Sequence, residues 1–371
     1  MPPTYDYERS IAQKDIQLVT TIQVQTVPGA NFSKAMIFID ETDAAANFVA
    51  DPGVDTITEV TYEDYADLVK GTMLTWLDAF YALNAVTHIF LVTYNGLSGS
   101  AWSATDLGVQ YALYNERAYW KLAYNASFNM NAQLALATLC EDDPLSQFLY
   151  GTKDATCLTG VGTEVGQFVS AGLDVPIIYH PSTTINPALV QLAATLSIVN
   201  LTGTPVGNKT DFLAIAGFSA SGTAGANLTA VQSAYAEGLH VSYFTTVGDG
   251  SGDVVAEKWV TCISEMLIGA LWVKNYVDTV GGIYIAAFLT KDPDSGFKNN
   301  DTYQGCLNLL QVQLNLFAAI GRLLNVKIIA PPFAQLPAAV GDVITVPKAW
   351  TATYADNVRQ VEIFGALLIQ V

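Results

Sequence analysis

Apolar and polar residues alternate along one stretch at each end of the chain. In residues 361–371 every second side chain is apolar or small, and residues 15–27 show the same period of two. Such a period is typical of a β-strand, whose successive side chains point to opposite faces. Because a chain end is usually loose unless something holds it, we expect both strands to pair, either with each other or with other subunits. The residues expected to make these contacts are Ile16, Leu18, Ile22, Val24, Val361, Ile363, Phe364, Leu367 and Ile369.

Between these ends, short apolar runs alternate with longer segments of helical character. The runs predict strands at 35–39, 88–93, 119–124, 176–180, 211–217 and 239–246. The segments between them predict helices at 61–85, 104–117, 131–150, 187–199 and 224–237, with the helix at 131–150 interrupted at residues 143–144. Strands that alternate with helices indicate a layered α/β domain with a largely parallel sheet.

The C-terminal third has a different pattern, which begins after the Gly- and Asp-rich residues 248–253. We expect long helices at 254–280 and 301–325, a strand or buried helix at 282–289, and short strands at 326–330 and 342–346. The helix at 301–325 carries an apolar stripe at helical spacing, formed by Leu309, Val312, Leu316, Ile320 and Leu323. The predicted fold class is therefore α/β (α+β), with a layered middle domain and a C-terminal domain of long helices and a small sheet.

Size and composition indicate a folded protein with much apolar surface to cover. The chain has 371 residues, of which 51% are apolar and 13% charged, enough for two or three domains and too apolar for disorder. The longest apolar run, 259–273, contains Glu265 and is shorter than a membrane span. The start of the chain lacks the pattern of an ordinary secretory signal. We therefore expect a deep core, extensive subunit contacts, or both.

The charge and the candidate motifs argue against several kinds of chemistry. A net charge of −18 argues against nucleic-acid binding, which needs a basic surface. The four cysteines are far apart and are expected to be buried thiols. The serines of 217–222 lack the spacing of a hydrolase elbow, and the glycines of 160–166 lack that of a dinucleotide loop. A calcium loop counted from Asp249 would need a Glu where Val260 stands. We expect no enzyme, cofactor or metal site.

The C-terminal segments resemble a known family. Residues 344–347 (Ile-Thr-Val-Pro), the connection that bears Asp356 and Arg359, and the closing strand with Gly365 and Ala366 are similar to the end of the tail sheath proteins of contractile-tailed bacteriophages. Residues 236–243, followed by a Gly/Asp turn, resemble the segment that precedes the C-terminal domain in that family. The order of elements agrees over 231–371, whereas 31–230 fits as a variable α/β insertion.

The resemblance implies a structural virion protein. Such a subunit would polymerise as stacked hexameric rings around a tail tube and contract to drive the tube through the host envelope. The implied organisation is an N-terminal arm at 1–30, an outer domain at 31–250, an inner domain facing the tube at 251–358 and a C-terminal arm strand at 359–371. The arms would add strands to a sheet of neighbouring copies. Candidate hinges are Pro28, Gly29 and the connection 349–357 with Asn357, extended to Arg359.

The implied partners are further copies of the chain, a tail tube protein, and baseplate and tail terminator proteins. Neither nucleic-acid binding nor membrane insertion is expected, and the implied location is the phage tail, assembled in the host cytoplasm. Two other readings remain open. One is an enzyme on an α/β scaffold, and the other is a different self-assembling virion or layer protein, although the many helices argue against a tube protein.

Overall fold

The computed structural model describes residues 32–98, 101–124, 130–141, 143, 145–196, 215, 218–246, 254–257, 259–289, 300–319, 321–336, 343–356 and 359–370. For 280–289 and 359–370 only the backbone is described. The fold is mixed α/β, as the sequence predicts. Contacts group residues 30–269 into one unit, called here the first unit, and assign residues from 270 onward to a second unit.

The first unit contains two main sheets. Their strands follow the order β2-β3-β1-β6-β7 in one sheet and β11-β10-β9-β8 in the other. In the first sheet β1 is parallel to β3 and β6, and β2 is antiparallel to β3. A separate pair is formed by β4 and β5. The strands are β1 (Ala35–Asp40), β2 (Ile57–Val60), β3 (Ile89–Tyr94), β4 (Leu97–Ser98), β5 (Ala101–Trp102), β6 (Trp120–Ala123), β7 (Gln147–Phe148), β8 (Tyr150–Thr152), β9 (Ile177–Tyr179), β10 (Ser242–Thr246) and β11 (Val254–Glu257).

One extended segment, 147–152, links these two sheets. Its first half is β7, which is parallel to β6, and its second half is β8, which is parallel to β9. The change of partner occurs within two residues, because the Leu149 N–H donates to the Lys121 carbonyl and the Tyr150 N–H donates to the Pro176 carbonyl. The two sheets are therefore joined along the chain by a single strand-like segment.

Helices connect the strands and cover the sheets. The parallel strands are almost continuously apolar and buried, with all six residues of β3 and the first five of β1 buried, as expected of strands covered on both faces. The helices of the first unit are α1 (Glu41–Asn47), α2 (Tyr65–Leu68), α3 (Gly71–Tyr81), α4 (Thr105–Tyr114), α5 (Met130–Glu141), α6 (Thr163–Ser170), α7 (Pro187–Leu196) and α8 (Ala230–Gly238).

The single helix predicted at 61–85 is wrong, because the chain forms α2 and α3 with a break between them. The N–H of Val49 donates to the carbonyl of Leu68, and the N–H of Lys70 donates to the carbonyl of Asn47. This strand-like contact interrupts the helix, and Gly71 restarts it with a φ of +60°. Helical periodicity persists across the break, so the sequence pattern alone does not reveal it.

Three other predicted helices differ from the structure. The helix predicted at 131–150 ends at Glu141, and residues 147–148 form β7. The helix predicted from 224 begins at 230, where Thr229 and Gln232 form a capping box. The helix predicted from 254 is wrong at its start, because residues 254–257 form β11, which pairs antiparallel with β10. Of the strand predicted at 211–217, only Ile215 lies within the described residues.

The second unit combines two long helices with an antiparallel sheet. The sheet order is β12-β13-β14. Residues 282–289, which the sequence left open between strand and helix, are helical. Trp272 and Tyr276 pack their rings against Phe317 in the core of this unit. The elements are α9 (Ile268–Leu289), α10 (Asn300–Ala319), β12 (Leu323–Ile328), β13 (Val343–Asp356) and β14 (Arg359–Gln370).

Candidate assembly site

The three-stranded sheet of the second unit is the candidate site, because no described strand pairs with the outer edge of either of its outer strands. The central strand β13 has 14 residues and pairs antiparallel with the 12 residues of β14, from Val343 opposite Gln370 to Asp356 opposite Arg359. Among the described strands, β12 and β14 have β13 as their sole neighbour. An edge strand presents unpaired N–H and C=O groups that another strand can bind.

Two irregularities shape this sheet. The pairing of β13 with β14 shifts register between Val346 and Trp350, and the pairing of β12 with β13 shifts between Leu324 and Lys327. Non-glycine residues with positive φ lie within both shifts: Lys348 at +51° and Asn325 at +52°. Such bulges increase the local twist and limit the length over which an edge stays regular. Regular pairing between β13 and β14 therefore runs over 343–346 and again over 350–356.

A buried polar contact ties the central strand to α9. The Trp350 indole Nε1 donates to Asp278 Oδ1 at 2.8 Å, and Lys274 Nζ lies 3.1 Å from Asp278 Oδ2. Burial raises the pKa of Asp278 above its ordinary value, even though Lys274 and the indole N–H both act to lower it. The Tyr303 hydroxyl of α10 donates to the Pro331 carbonyl, just after β12. These bonds fix β13 and the end of β12 to the helices of the unit.

One face of α10 is apolar and exposed. Val312 is 53% exposed and Leu316 is 52% exposed. The face of α10 that is buried lies elsewhere and is formed by Tyr303, Cys306, Leu307, Leu310, Gln313, Leu314 and Phe317. The stripe predicted through Leu309, Val312, Leu316, Ile320 and Leu323 is thus not a single buried face. Leu323 is buried, Leu309 is half-buried and Ile320 lies outside the described residues.

The charge of the chain is unevenly distributed. Residues 270–371 contain seven basic and seven acidic residues, so residues 1–269 carry the whole net charge of −18. Helix α10 has a single charged residue, Asp301, in its first turn. Surfaces of like charge repel each other. The part of the chain that carries the β12-β13-β14 sheet is therefore the part in which copies of this acidic protein meet the least repulsion.

The expected arm and hinge residues fall in two groups. Ile16, Leu18, Ile22, Val24, Pro28, Gly29 and Asn357 lie outside the described residues. Val361, Ile363, Phe364, Leu367 and Ile369 lie in β14, with Phe364 opposite Thr351. Arg359 is the first residue of β14, opposite Asp356. Residues 349–356 belong to β13, so the prediction of an irregular, hinge-like connection there is wrong. Strong β-formers such as Trp350, Thr351 and Tyr354 could have signalled this strand.

The pair formed by His180 and Ser219 has the wrong tautomer for a hydrolase. The Ser182 N–H donates to His180 Nδ1, so the ring proton lies on Nε2. That Nε2 donates to the Ser219 carbonyl and lies 3.5 Å from the Ser219 hydroxyl. A general base needs a free ring nitrogen toward its serine. Because this nitrogen carries the proton, the neutral His180 ring cannot take a proton from Ser219.

The glycines of 160–166 do not form a phosphate cradle, because a carboxylate occupies the start of α6. Asp154 Oδ2 accepts the Glu164 N–H at 3.2 Å, and Asp154 Oδ1 accepts the Thr156 N–H at 2.9 Å. Burial acts to raise the pKa of Asp154, but the hydrogen bonds from Thr156, Glu164 and Thr163 outweigh it, and the pKa lies below its ordinary value. A helix N-terminus already occupied by a carboxylate offers little to a phosphate.

The four cysteines are buried in the fold, and Asp143 is hydrogen-bonded within it. Cys140, Cys157, Cys262 and Cys306 are free and buried, as the sequence predicts, and burial raises the pKa of the Cys140 thiol to about 12. Asp143 accepts hydrogen bonds from the side chains of Tyr111, Asn115 and Ser146. In the part of the chain that the structure describes, no three His, Cys, Asp or Glu residues group as metal ligands. No helix there has the length and hydropathy needed to span a membrane.

Comparison with known proteins finds a solved structure with a similar fold. No protein-family model and no curated sequence matches the chain. The structure is similar to a chain of the cryo-EM structure of the anti-feeding prophage (AFP) baseplate, 6-fold symmetrised, with a TM-score of 0.55 and 12% sequence identity. The match covers 100% of this chain and 95% of that chain. At this identity the likeness shows a shared fold.

Proposed function

We propose that this chain is a structural subunit of a contractile tail and, more specifically, the sheath subunit that stacks as hexameric rings around a tail tube. The observation that carries the proposal is the long β13–β14 hairpin with its open edge, in a chain whose whole length shares a fold with a chain of a contractile-system baseplate. The 6-fold symmetry named for that assembly agrees with the hexameric ring that the C-terminal resemblance implies.

Edge pairing supplies the link between copies in this proposal. In this structure β14 lies on β13 of its own copy, so what it offers a neighbour is its outer edge. The strand-like residues 15–27 of another copy are our candidate to bind that edge or the edge of β12. A strand of this length forms roughly five to ten backbone hydrogen bonds, each worth about 1 kcal/mol net. Burial of its apolar face adds about 25 cal/mol per Å².

The uneven charge supports the roles that we propose for the two parts of the chain. The neutral C-terminal part would form the inner lattice around the tube, and the acidic part would form the outer surface, where its charge limits unwanted association. Contacts with the tube, the baseplate and the tail terminator belong to the same proposal. In it the chain is not an enzyme, and the occupied His180 and Asp154 sites described above support that view.

Contraction would follow from copies that stay linked while their rigid bodies rotate. We propose that the lattice changes from a metastable extended form to a more stable short form, with Pro28–Gly29 as the joint. The Trp350–Asp278 contact supports the rigid-body part of this mechanism, since it fixes the central strand to α9.

A second candidate is a baseplate component of a contractile system, which the printed description of the AFP structure favours. The two candidates differ in what the purified chain does alone. A sheath subunit is expected to polymerise by itself into tubes or stacked rings. A baseplate component is expected to need other proteins before it forms a ring.

Negative-stain electron microscopy of the purified full-length chain tests the proposal. We expect hollow tubes or six-fold rings at high protein concentration. Monomers at every concentration would contradict the sheath proposal. Monomers that join rings when other tail proteins are added would favour the baseplate candidate.

A further inference from the structure

The exposed face of α10 combines apolar side chains with uncharged polar ones. Val312 and Leu316 lie one helical turn apart and are each about half exposed, with the half-buried Leu309 beside them. Their exposed or partly exposed helix neighbours are Gln304, Asn308, Gln311 and Asn315, all uncharged, and Gln311 Nε2 donates to Asn315 Oδ1 at 2.8 Å. The face thus combines an apolar pair with neutral amides over most of the helix.

The absence of charge on this face points to contact with protein. Charged residues are depleted at the centre of protein–protein interfaces, where desolvation is costly. After Asp301, no residue of α10 up to Ala319 is charged. A basic partner would be expected to use the acidic first unit, whereas another copy of this chain avoids repulsion where both surfaces are neutral. The neutral helix face therefore fits a second copy better than a partner of opposite charge.

We propose that the α10 face formed by Leu309, Val312 and Leu316 is a contact surface for the second unit of another copy of this chain. The inference rests on the proposed self-assembly and adds a contact that is separate from edge pairing. Helix α10 precedes the edge strand β12 in the chain, and both belong to the second unit. The two surfaces together would hold a neighbour by both backbone hydrogen bonds and apolar contact.

A double substitution tests this surface against a matched control. Val109 and Leu113 of α4 are the same residue types at the same spacing, 50% and 63% exposed, in the acidic first unit. We expect Val312→Glu with Leu316→Glu to raise the critical concentration for assembly at least about tenfold. Val109→Glu with Leu113→Glu should leave it unchanged. Light scattering and electron microscopy measure assembly, and circular dichroism checks that each variant is folded.

The double variant Val312→Gln with Leu316→Gln adds no charge, so it tests the surface even if the two Glu residues disturb the helix. We expect this variant also to raise the critical concentration for assembly. If wild-type protein forms tubes and both α10 pairs assemble as wild type does, the inference is overturned while the proposed function stands. Equal losses from the α4 and α10 pairs would also overturn it. If wild-type protein does not assemble at all, the proposed function fails first.

Cross-linking identifies the occupant. A photoreactive maleimide can be placed on Leu316→Cys, since the four native thiols are buried. With a mixture of isotopically light and heavy copies, we expect cross-links between copies that map to residues 270–371. Cross-links confined to one copy, or to residues 30–269 of another copy, would contradict the proposed contact.

Discussion

At the scale of single residues, buried and half-buried polar groups in this protein hold strands and helices in place. His180 fixes a loop through Ser182 and Ser219, Asp154 caps α6, and Asp278 ties α9 to Trp350. Histidine and aspartate are residue types that often act in catalysis or in ligand binding. Their hydrogen bonds are already formed within the chain, which is why the structure gives them a structural role.

We expect protonation of His180 to destabilise the protein at mildly acidic pH. Burial lowers the pKa of His180 below 6.5, and Nδ1 accepts a bond that a protonated ring cannot accept. The unfolded chain then binds a proton more readily than the folded chain, so stability is full above pH 6.5 and falls below it, by at most about 1.4 kcal/mol per pH unit.

Urea unfolding of wild type and His180→Gln at about pH 7.5 and about pH 5 measures this effect. The difference between the two proteins should shrink as the pH falls. The control is His88→Gln, which makes the same substitution at an exposed histidine. A His180 variant that loses stability in parallel with wild type would count against this role.

Asp278 and Trp350 should respond differently to conservative substitution. We expect Trp350→Phe to cost roughly 2–3 kcal/mol, since the buried carboxylate loses a donor and the fully buried site loses volume. Asp278→Asn keeps the acceptor oxygen and removes a charge that burial disfavours, so it should cost less than about 1 kcal/mol. Urea midpoints measure both, and equal losses from the two changes would refute the account of the contact.

At the scale of elements, the sequence predicts what local pattern determines. The apolar runs of β1, β3 and β9 are short and continuous, so their positions follow from the residues themselves. The strand β11 and the break before Gly71 depend on pairing with distant residues, β10 in one case and residues 47–49 in the other. The sequence predicts an apolar stripe on α10, but it does not predict that Val312 and Leu316 of that stripe are exposed. Periodicity alone does not show which face of a helix the core will cover.

Two glycines test this account of the break between α2 and α3. Gly71 has a φ of +60°, and a Cβ there would lie 2.7 Å from the Ala46 carbonyl oxygen. We expect Gly71→Ala to lower the free energy of unfolding by about 1–3 kcal/mol. Gly108 lies inside α4 with nothing within 4 Å of its added Cβ, so Gly108→Ala should instead stabilise by about 0.5–1 kcal/mol. Thermal midpoints measure both, and shifts of the same sign would contradict the interpretation.

At the scale of the whole molecule, the two units have different tasks in our proposal. The first unit has its own sheets, core and nearly all of the net negative charge, whereas the second has little net charge and carries the sheet with the two longest described strands, β13 and β14. The sheath interpretation rests on the resemblance of short C-terminal segments, and the likeness to the AFP baseplate chain shows a shared fold. Pairing between copies depends on a neighbour, so neither one sequence nor one chain reveals it.

Deletion of residues 364–371 separates folding of the first unit from assembly. The deletion removes the β14 residues that pair with Val343 through Thr351 of β13. We expect the first unit to stay folded, as a protease-resistant fragment of residues 30–269, while tube formation is lost. Tubes formed by the truncated chain would show that β14 and its edge are not needed for assembly.

The most direct test of the central claim is a cryo-EM map of the assembled wild-type chain, read at the edges of the β12-β13-β14 sheet. Our account predicts that a strand from another copy binds the outer edge of β12 or β14, in a ring of six copies. A map in which both edges are unpaired or covered by the same copy, with neighbours joined through other surfaces, would contradict it.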